Sequence, residues 1–93
     1  MVRIELLITN KLGLHARAAG KFVEAASLFT SEIWLVKGKN RVNGKSIMGI
    51  LTLAAANGET VVMELDGPDE EKALEVLKDL IRSGFGENAK DKT

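Results

Sequence analysis

The sequence predicts an α+β fold, an open-faced two-layer sandwich in which a four-stranded antiparallel sheet is covered on one face by three helices. Three observations predict it. Four segments have the composition or alternation of strands, each with one apolar face. Two longer segments carry apolar residues at helical spacing, and a short third segment follows a serine that can cap a helix. The predicted order is β-α-β-β-α-β-α, and strands with one apolar face need cover on one side only.

The first strand and helix are predicted from a change of period near residue 15. Residues 2–8 alternate between apolar and polar side chains, which is typical of a half-buried strand. From Ala16 onward the apolar spacing becomes helical. The alternating apolar positions are Val2, Ile4, Leu6 and Ile8, and the helical stripe is Ala19, Phe22, Val23 and Ala26.

Turn and cap signals divide the middle of the chain. A glycine-containing turn at residues 38–39 separates predicted strands at 32–37 and 40–43. Ser46 is a natural N-cap, so a short helix is expected to begin at Ile47.

The last strand and helix are the clearest elements. After an Asn-Gly turn at residues 57–58, residues 59–67 alternate as a strand does. Asp69 occupies the N-cap position of a helix. Gly84 occupies the position just after the end of that helix, which is called C′. The strand's apolar face is Val61, Met63 and Leu65, and the helical stripe is Ala73, Leu74, Leu77, Leu80 and Ile81.

Length and composition limit the classes of protein. The chain has 93 residues, so we expect a single domain over residues 1–88, followed by a polar tail at 89–93 that frays. Lys+Arg and Asp+Glu are balanced at 13 each, and this leaves no net basic field to attract nucleic acid. Cysteine is absent and histidine occurs once, so neither a metal site nor a cofactor is expected.

The apolar pattern also bears on location. No apolar run is long enough to span a membrane, and the first residues lack the pattern of a signal peptide. We therefore expect a cytoplasmic protein without membrane insertion, and a monomer.

The single histidine marks the candidate site, within the stretch "GLHARAAGKFVEAA" at residues 13–26. His15 falls at the N-cap of the first predicted helix, where an imidazole is a poor substitute for the usual side-chain oxygen. The backbone amides of Ala16, Arg17 and Ala18 are therefore expected to lack internal partners and to form an anion site. The Arg17 guanidinium adds a charged donor fork that suits phosphate.

Residue chemistry alone leaves two interpretations of this site open. A neutral imidazole has a nitrogen lone pair that can attack phosphorus, and the product would meet the helix amides and Arg17. The small side chains of Ala16, Ala18 and Ala19 are then expected to leave the site open to a partner. Alternatively, His15 is a surface residue or a satisfied cap, and Arg17 is a solvated charge.

The residues "GLHARAA" closely resemble the active-site motif of the histidine-containing phosphocarrier (HPr) family of the bacterial phosphoenolpyruvate-dependent phosphotransferase system. The resemblance continues in "NGKSIMGILTLAA", "GETVVMELDGPDEEKALEVLKDLI" and "SGFGE", so it covers nearly the whole chain. It implies the HPr-like open-faced sandwich. It also implies that His15 accepts a phosphoryl group on Nδ1 from Enzyme I and passes it to a IIA domain of a sugar permease, with Arg17 assisting. Such a protein is a covalent carrier rather than a turnover enzyme.

One position departs from the family motif Gly-x-His-x-Arg-Pro-Ala, because Ala18 stands where the proline is usual. Proline early in a helix lacks an amide and restrains the residue before it. Ala18 restores that amide and frees Arg17 to enter the helix, so we expect a working site with a slightly different Arg17 pose. The departure leaves open whether the protein serves a sugar branch or a nitrogen-related branch.

Ser46 has two compatible interpretations. As a structural residue it caps a short helix whose stability Gly49 limits. The resemblance of "GKSIMG" to the substrate pattern of HPr kinase/phosphorylase implies that Ser46 is also phosphorylated from ATP. We interpret Ile47, Met48 and Leu51 as an apolar docking patch, beside which a phosphate would place about two negative charges.

The sequence also offers a P-loop, an RNA-binding and a purely regulatory interpretation. "GKNRVNGKS" resembles a P-loop, but five residues rather than four separate Gly38 from Gly44. Its basic residues suggest RNA, yet the net charge is zero, the only aromatics are three Phe and one Trp, and no RNP-like aromatic strand appears. A purely regulatory module that acts through phospho-Ser46 is the more serious alternative, and the presence of His15 beside Arg17 favours phosphotransfer over it.

Overall fold

The computed structural model describes residues 1–86, in which four strands and three helices follow the predicted order. The predicted tail at 89–93 and the last two residues of the predicted domain lie outside the described residues. The strands are β1 (Val2–Leu7), β2 (Glu32–Lys37), β3 (Asn40–Asn43) and β4 (Thr60–Asp66), and the helices are α1 (Ala16–Ala26), α2 (Ile47–Leu53) and α3 (Glu70–Arg82).

The strands form one antiparallel sheet in the order β1-β4-β2-β3. Its register places Met63 at the centre, opposite Ile4 of β1 and Leu35 of β2. Because side chains alternate along each strand, these three share one face of the sheet. That face carries the buried apolar residues of the strands, namely Leu6, Ile33, Leu35, Val61, Met63 and Leu65.

The helices cover this apolar face. Helix α3 contacts β1 and β4, α2 contacts β2 and β3, and α1 contacts both other helices. The helical side chains of the core are Ala18, Ala19, Phe22, Ala26, Ile50, Leu53, Ala73, Leu77 and Ile81. The predicted open-faced sandwich is therefore confirmed, and the helix layer carries the residues that sequence patterns single out for function.

The opposite face of the sheet is protected by charged side chains rather than by helices. Arg41 stacks over the Trp34 ring, with its guanidinium carbon 4.0 Å from the ring centroid. Its Nε lies 2.9 Å from one carboxylate oxygen of Glu64, and the Arg3 Nε lies 3.5 Å from the other. The charges thus shield the indole on a face that no helix of the described chain covers.

Asp69 precedes α3 at the predicted position but has a different role. Its side chain makes no capping hydrogen bond to that helix. The carboxylate instead accepts hydrogen bonds from the backbone amides of Thr30 and Ser31, at 2.9 and 3.0 Å, and from the Ser31 hydroxyl. The Ser31 hydroxyl, followed by the Thr30 amide, lowers the pKa of Asp69 to about 2. Asp69 therefore ties the α1–β2 connection to the start of α3.

Gly84 ends α3 as predicted. It adopts φ 66°, and its amide and that of Phe85 donate to the carbonyls of Ile81 and Leu80 at 3.0 and 2.9 Å. This pairing satisfies the last helical carbonyls and turns the buried Phe85 side chain into the core.

Candidate functional site

The loop before α1 is fastened to the loop between α2 and β4. The Ile8 amide donates to the Glu59 carbonyl at 2.8 Å, and the Gly58 amide donates to the Ile8 carbonyl at 2.9 Å. Nearer to the histidine, the Leu14 amide donates to the Ala55 carbonyl at 2.9 Å. The backbone just before His15 is thus held by a segment some 40 residues away in the chain.

Gly13 is required at the tightest point of this junction. Its φ is 67°, and a Cβ at this position would lie 2.5 Å from the Ala55 carbonyl oxygen. The Asn10 side-chain amide donates to the Gly13 carbonyl at 2.7 Å, and the Asn57 side-chain amide donates to the Thr9 carbonyl at 3.1 Å. The glycine of the "GLHARAA" motif therefore sets the position from which α1 starts.

A lysine and a glutamate hold the other side of the junction. Lys37 Nζ donates to the carbonyls of Leu53 and Ala54, both at 3.2 Å, and lies 3.0 Å from a Glu59 carboxylate oxygen. Glu59 also accepts from the Ala56 amide at 2.7 Å, and this bond, followed by the one from Lys37, lowers the pKa of Glu59. Sequence patterns missed both residues, because the contacts join segments that are distant in the chain.

His15 caps α1 with its ring. It has extended backbone angles, φ −82° and ψ −180°, and its Nδ1 accepts a hydrogen bond from the Arg17 amide at 3.3 Å. The bond is longer than the usual range for N–H donors, which indicates a weak cap. Since Nδ1 accepts, its lone pair points toward the helix start, and the neutral ring carries its proton on Nε2.

The predicted set of unpartnered amides needs correction. The Arg17 amide is paired with the His15 ring, so it is available to an anion only if that bond is given up. The amides of Ala16 and Ala18 belong to the first turn, where the helix itself supplies no acceptor carbonyl. The imidazole therefore competes with an anion for one of the three predicted donors.

The alanines around the site play two different roles. Ala16 and Arg17 are exposed, in agreement with an accessible site. Ala18 and Ala19 are fully buried, so their side chains belong to the core and do not line the exposed surface of the site. They face the core because α1 is packed between α2 and α3. The usual proline position thus lies on the inner side of the helix start.

Ser46 caps α2 as predicted. Its backbone is extended, with φ −119° and ψ 114°, and its Oγ accepts a hydrogen bond from the Gly49 amide at 3.0 Å. A Cβ at Gly49 would lie 3.2 Å from this oxygen and 3.4 Å from the Val42 Cβ. Gly49 therefore costs helix propensity but leaves room for the cap.

The predicted docking patch is partly exposed. Met48 is 72% exposed, Ile47 is 44% exposed, and Leu51 is half-buried. Leu12 is also 69% exposed, three residues before His15. Sequence patterns gave no reason to select Leu12, because it lies in a loop without periodicity.

The described part of the chain offers neither a cluster of metal ligands nor a membrane-spanning helix. No group of three or more His, Cys, Asp or Glu side chains among residues 1–86 could hold a metal ion. None of the three helices is long and apolar enough to cross a membrane.

The structure thus combines an open-faced sandwich with a single histidine at the start of its first helix. The model of the family PTS-HPr, described as the phosphotransferase system HPr component phosphorylation site, matches residues 2–83. The chain therefore belongs to the HPr family of phosphocarrier proteins.

Known relatives match this chain along nearly its full length. The phosphocarrier protein HPr of Neisseria meningitidis is 54% identical over 87 residues, covering 94% of this chain and 98% of the relative. The crystal structure of HPr-C-His from Thermoanaerobacter tengcongensis has a TM-score of 0.90 and 49% identity, covering 94% of this chain and 98% of that one. The HPr-like protein Crh of Halalkalibacterium halodurans is 44% identical over 77 residues, covering 83% of this chain and 92% of the relative.

Proposed function

We propose that His15 accepts a phosphoryl group from phospho-Enzyme I, itself charged by phosphoenolpyruvate, and donates it to a IIA domain of a sugar permease. The observation that carries this proposal is the His15 Nδ1 lone pair, which points toward the start of α1 beside Arg17. That nitrogen is a nucleophile, and it lies at the start of a helix, where backbone amides can receive an anion.

The transfer exchanges one bond to phosphorus for another. The Nδ1 lone pair attacks phosphorus, the bond between phosphorus and Enzyme I breaks, and the ring keeps its proton on Nε2. The Arg17 amide loses its ring acceptor and can donate to a phosphoryl oxygen, together with the amides of Ala16 and Ala18. The exposed Arg17 guanidinium adds charge-assisted bonds. The protein is changed covalently in each half of the relay, which makes it a carrier and not a turnover enzyme.

Incubation with labelled phosphoenolpyruvate and Enzyme I tests this proposal. Wild type should gain acid-labile label, and His15→Ala should gain none. Arg17→Ala should slow labelling at least about tenfold, because a charged phosphate contact is lost. An unlabelled wild type would overturn the carrier function, and equal label on His15→Ala would reject the assigned nitrogen.

We also propose that Ser46 is phosphorylated by HPr kinase/phosphorylase at the expense of ATP. The serine is half-buried, and its Oγ already lies at the start of α2, where a helix terminus favours negative charge. The phosphate would lie beside Ile47 and Met48, which form the exposed part of the docking patch. Added charge there should weaken docking of Enzyme I.

Incubation with ATP and HPr kinase/phosphorylase distinguishes the two phosphorylation sites. Label on Ser46 should be stable to acid and absent from Ser46→Ala, whereas His15→Ala should retain it. Acid-stable label that persists in Ser46→Ala would place the modification elsewhere.

A nitrogen-branch or mainly regulatory role, through protein binding, is the second candidate. Two observations favour it, namely the similarity to the HPr-like protein Crh and Ala18 at the usual proline position. A panel of IIA domains separates the candidates, because a sugar carrier should pass its label to sugar-type IIA domains within seconds.

We propose a cytoplasmic monomer as the working unit, since one copy contains the whole site.

A further inference from the structure

The protein's three methionines differ sharply in accessibility. Met48, the second residue of α2, is 72% exposed, and Met1 is 65% exposed. Met63 is fully buried at the centre of the sheet. A water-borne oxidant can therefore reach two of the three sulfur atoms, and one of these belongs to the docking patch.

We propose that Met48 is a site of reversible oxidation and that its sulfoxide weakens docking of phospho-Enzyme I. This inference rests on the proposed phosphocarrier function and adds a second form of regulation at the same surface. The oxidant is a hydroperoxide, and the product is a carrier whose site at His15 is intact but less readily reached by its donor.

The chemistry requires only the thioether and the oxidant. The Met48 sulfur attacks one oxygen of hydrogen peroxide, an S–O bond forms as the O–O bond breaks, and the proton of the attacked oxygen passes to the departing hydroxide, which leaves as water. Sulfur is oxidised by two electrons and the peroxide is reduced by two. Methionine sulfoxide reductases return the sulfur to the thioether with electrons from thiols.

The fold tolerates this change at Met48. Its side chain points largely into solvent, so a polar sulfoxide displaces no core contact. The same change at Met63 would place a polar group in the core, and full burial protects it. Met1 provides an internal comparison, because it is exposed at the start of the sheet, where its amine lies 3.5 Å from Glu70.

The expected effect on docking follows from the neighbours of Met48. Ile47 is 44% exposed and Leu51 is half-buried, so a partner meets apolar side chains around a polarizable sulfur. A sulfoxide makes the most exposed member of this patch polar but adds no charge. Phosphate at Ser46 acts by charge, so added salt should screen its effect and leave the effect of the sulfoxide largely unchanged.

The test compares wild type, Met48→Leu and Met48→Gln before and after treatment with hydrogen peroxide. Peptide mass mapping reports which sulfur gains oxygen. Phosphorylation of His15 by phospho-Enzyme I is measured as kcat/KM, and each protein is compared with its own untreated sample. Met48→Leu keeps an apolar side chain that cannot be oxidised, and Met48→Gln mimics the polarity of the sulfoxide.

Wild type should lose about fivefold in kcat/KM on oxidation, mainly through KM, as expected for removal of part of an apolar contact. Reductase treatment should restore the rate. Met48→Leu should change by less than about 1.5-fold although its Met1 is oxidised, and Met48→Gln should be slow without peroxide.

Three outcomes would overturn the inference: an equal loss in Met48→Leu, full activity of wild type with oxygen on Met48, or full activity of Met48→Gln. Failure of the underlying function is distinguishable, because untreated wild type would then receive no phosphoryl group from Enzyme I.

Discussion

The starts of α1 and α2 each carry a side chain proposed to receive phosphate, yet the two caps differ in kind. At α1 the His15 ring accepts from the amide two residues ahead at 3.3 Å. At α2 the Ser46 hydroxyl accepts from the amide three residues ahead at 3.0 Å. The first bond must be given up for His15 to react, whereas a phosphate on Ser46 retains oxygens at the helix start. The comparison indicates that the start of α1 is suited to phosphoryl transfer and that the start of α2 is suited to stabilising its helix.

The largest test of this difference is His15→Ser. The substitution places a strong cap on α1 and removes the nucleophile, so labelling from phosphoenolpyruvate and Enzyme I should vanish. The free energy of unfolding in urea should rise by about 0.5 kcal/mol, because serine is a better N-cap than a ring. Label on this variant would reject His15 as the phosphoryl acceptor, and a lower stability would show that the His15 cap is not the weak one.

The second test adds charge at α2. Ser46→Asp should slow phosphorylation of His15 by Enzyme I about tenfold, through repulsion of the phosphoryl donor. Ser46→Ala should change that rate by less than about twofold, since no charge is added. The initial rates should converge as salt is raised. Equal rates for both variants at low salt would reject charge at Ser46 as a control of docking.

The third test measures the caps as structural elements. Ser46→Ala should lower the free energy of unfolding by about 1 kcal/mol, and His15→Ala by less than about half of that. Urea denaturation followed by circular dichroism gives both values. A larger cost at His15 than at Ser46 would reverse the comparison.

The start of α3 adds a third case to the comparison of helix starts. Asp69 makes no capping bond to α3, because its carboxylate accepts hydrogen bonds from Ser31 and Thr30. The pKa of Asp69 is lowered to about 2, so its stabilising effect is complete above the ordinary aspartate pKa near 4 and is lost as pH falls toward 2. Wild type and Asp69→Asn should therefore differ in urea midpoint at pH 6, and the difference should shrink between about pH 4 and 2. A constant difference would assign the role of Asp69 to something other than its charge.

The smallest effect is expected at Ala18→Pro. Residue 18 is in the first turn of α1, where a proline breaks no hydrogen bond within the helix and is tolerated. Phosphorylation of His15 should change by less than about threefold. A gain of more than tenfold would show that the usual proline is needed for efficient transfer.

Sequence patterns predicted the sheet almost completely. The turn at residues 38–39 located the end of β2 and the start of β3, and the alternation in residues 2–8 predicted β1 to within one residue. Cap chemistry predicted Ser46 and the start of α2 correctly. These predictions succeeded because turns, alternation and caps depend on neighbouring residues.

Most of the errors come from contacts between distant segments, and the one at His15 comes from a local side-chain contact. Ala18 is buried beside Ala19 because α1 meets two other helices, which widens its buried face beyond the predicted stripe that contains Ala19. The Asp69 carboxylate accepts hydrogen bonds from Ser31 and Thr30, which precede it by 38 and 39 positions in the chain. Lys37 donates to the Leu53 carbonyl at the end of α2. The ring of His15 pairs with the Arg17 amide, which depends on a side-chain rotamer that no spacing reveals.

Trp34 gives the molecule a built-in optical reporter. It is the only tryptophan of the 93 residues, and it lies under Arg41 on the sheet face away from the helices. Indole emission responds to the charge and polarity next to the ring, so loss of the Arg41 contact on unfolding should change it. Events at His15 or Ser46 take place in the other layer and should leave it unchanged. Trp34 emission can therefore follow unfolding of the phosphorylated and the unphosphorylated form, each in its own sample, without a dye or a tag.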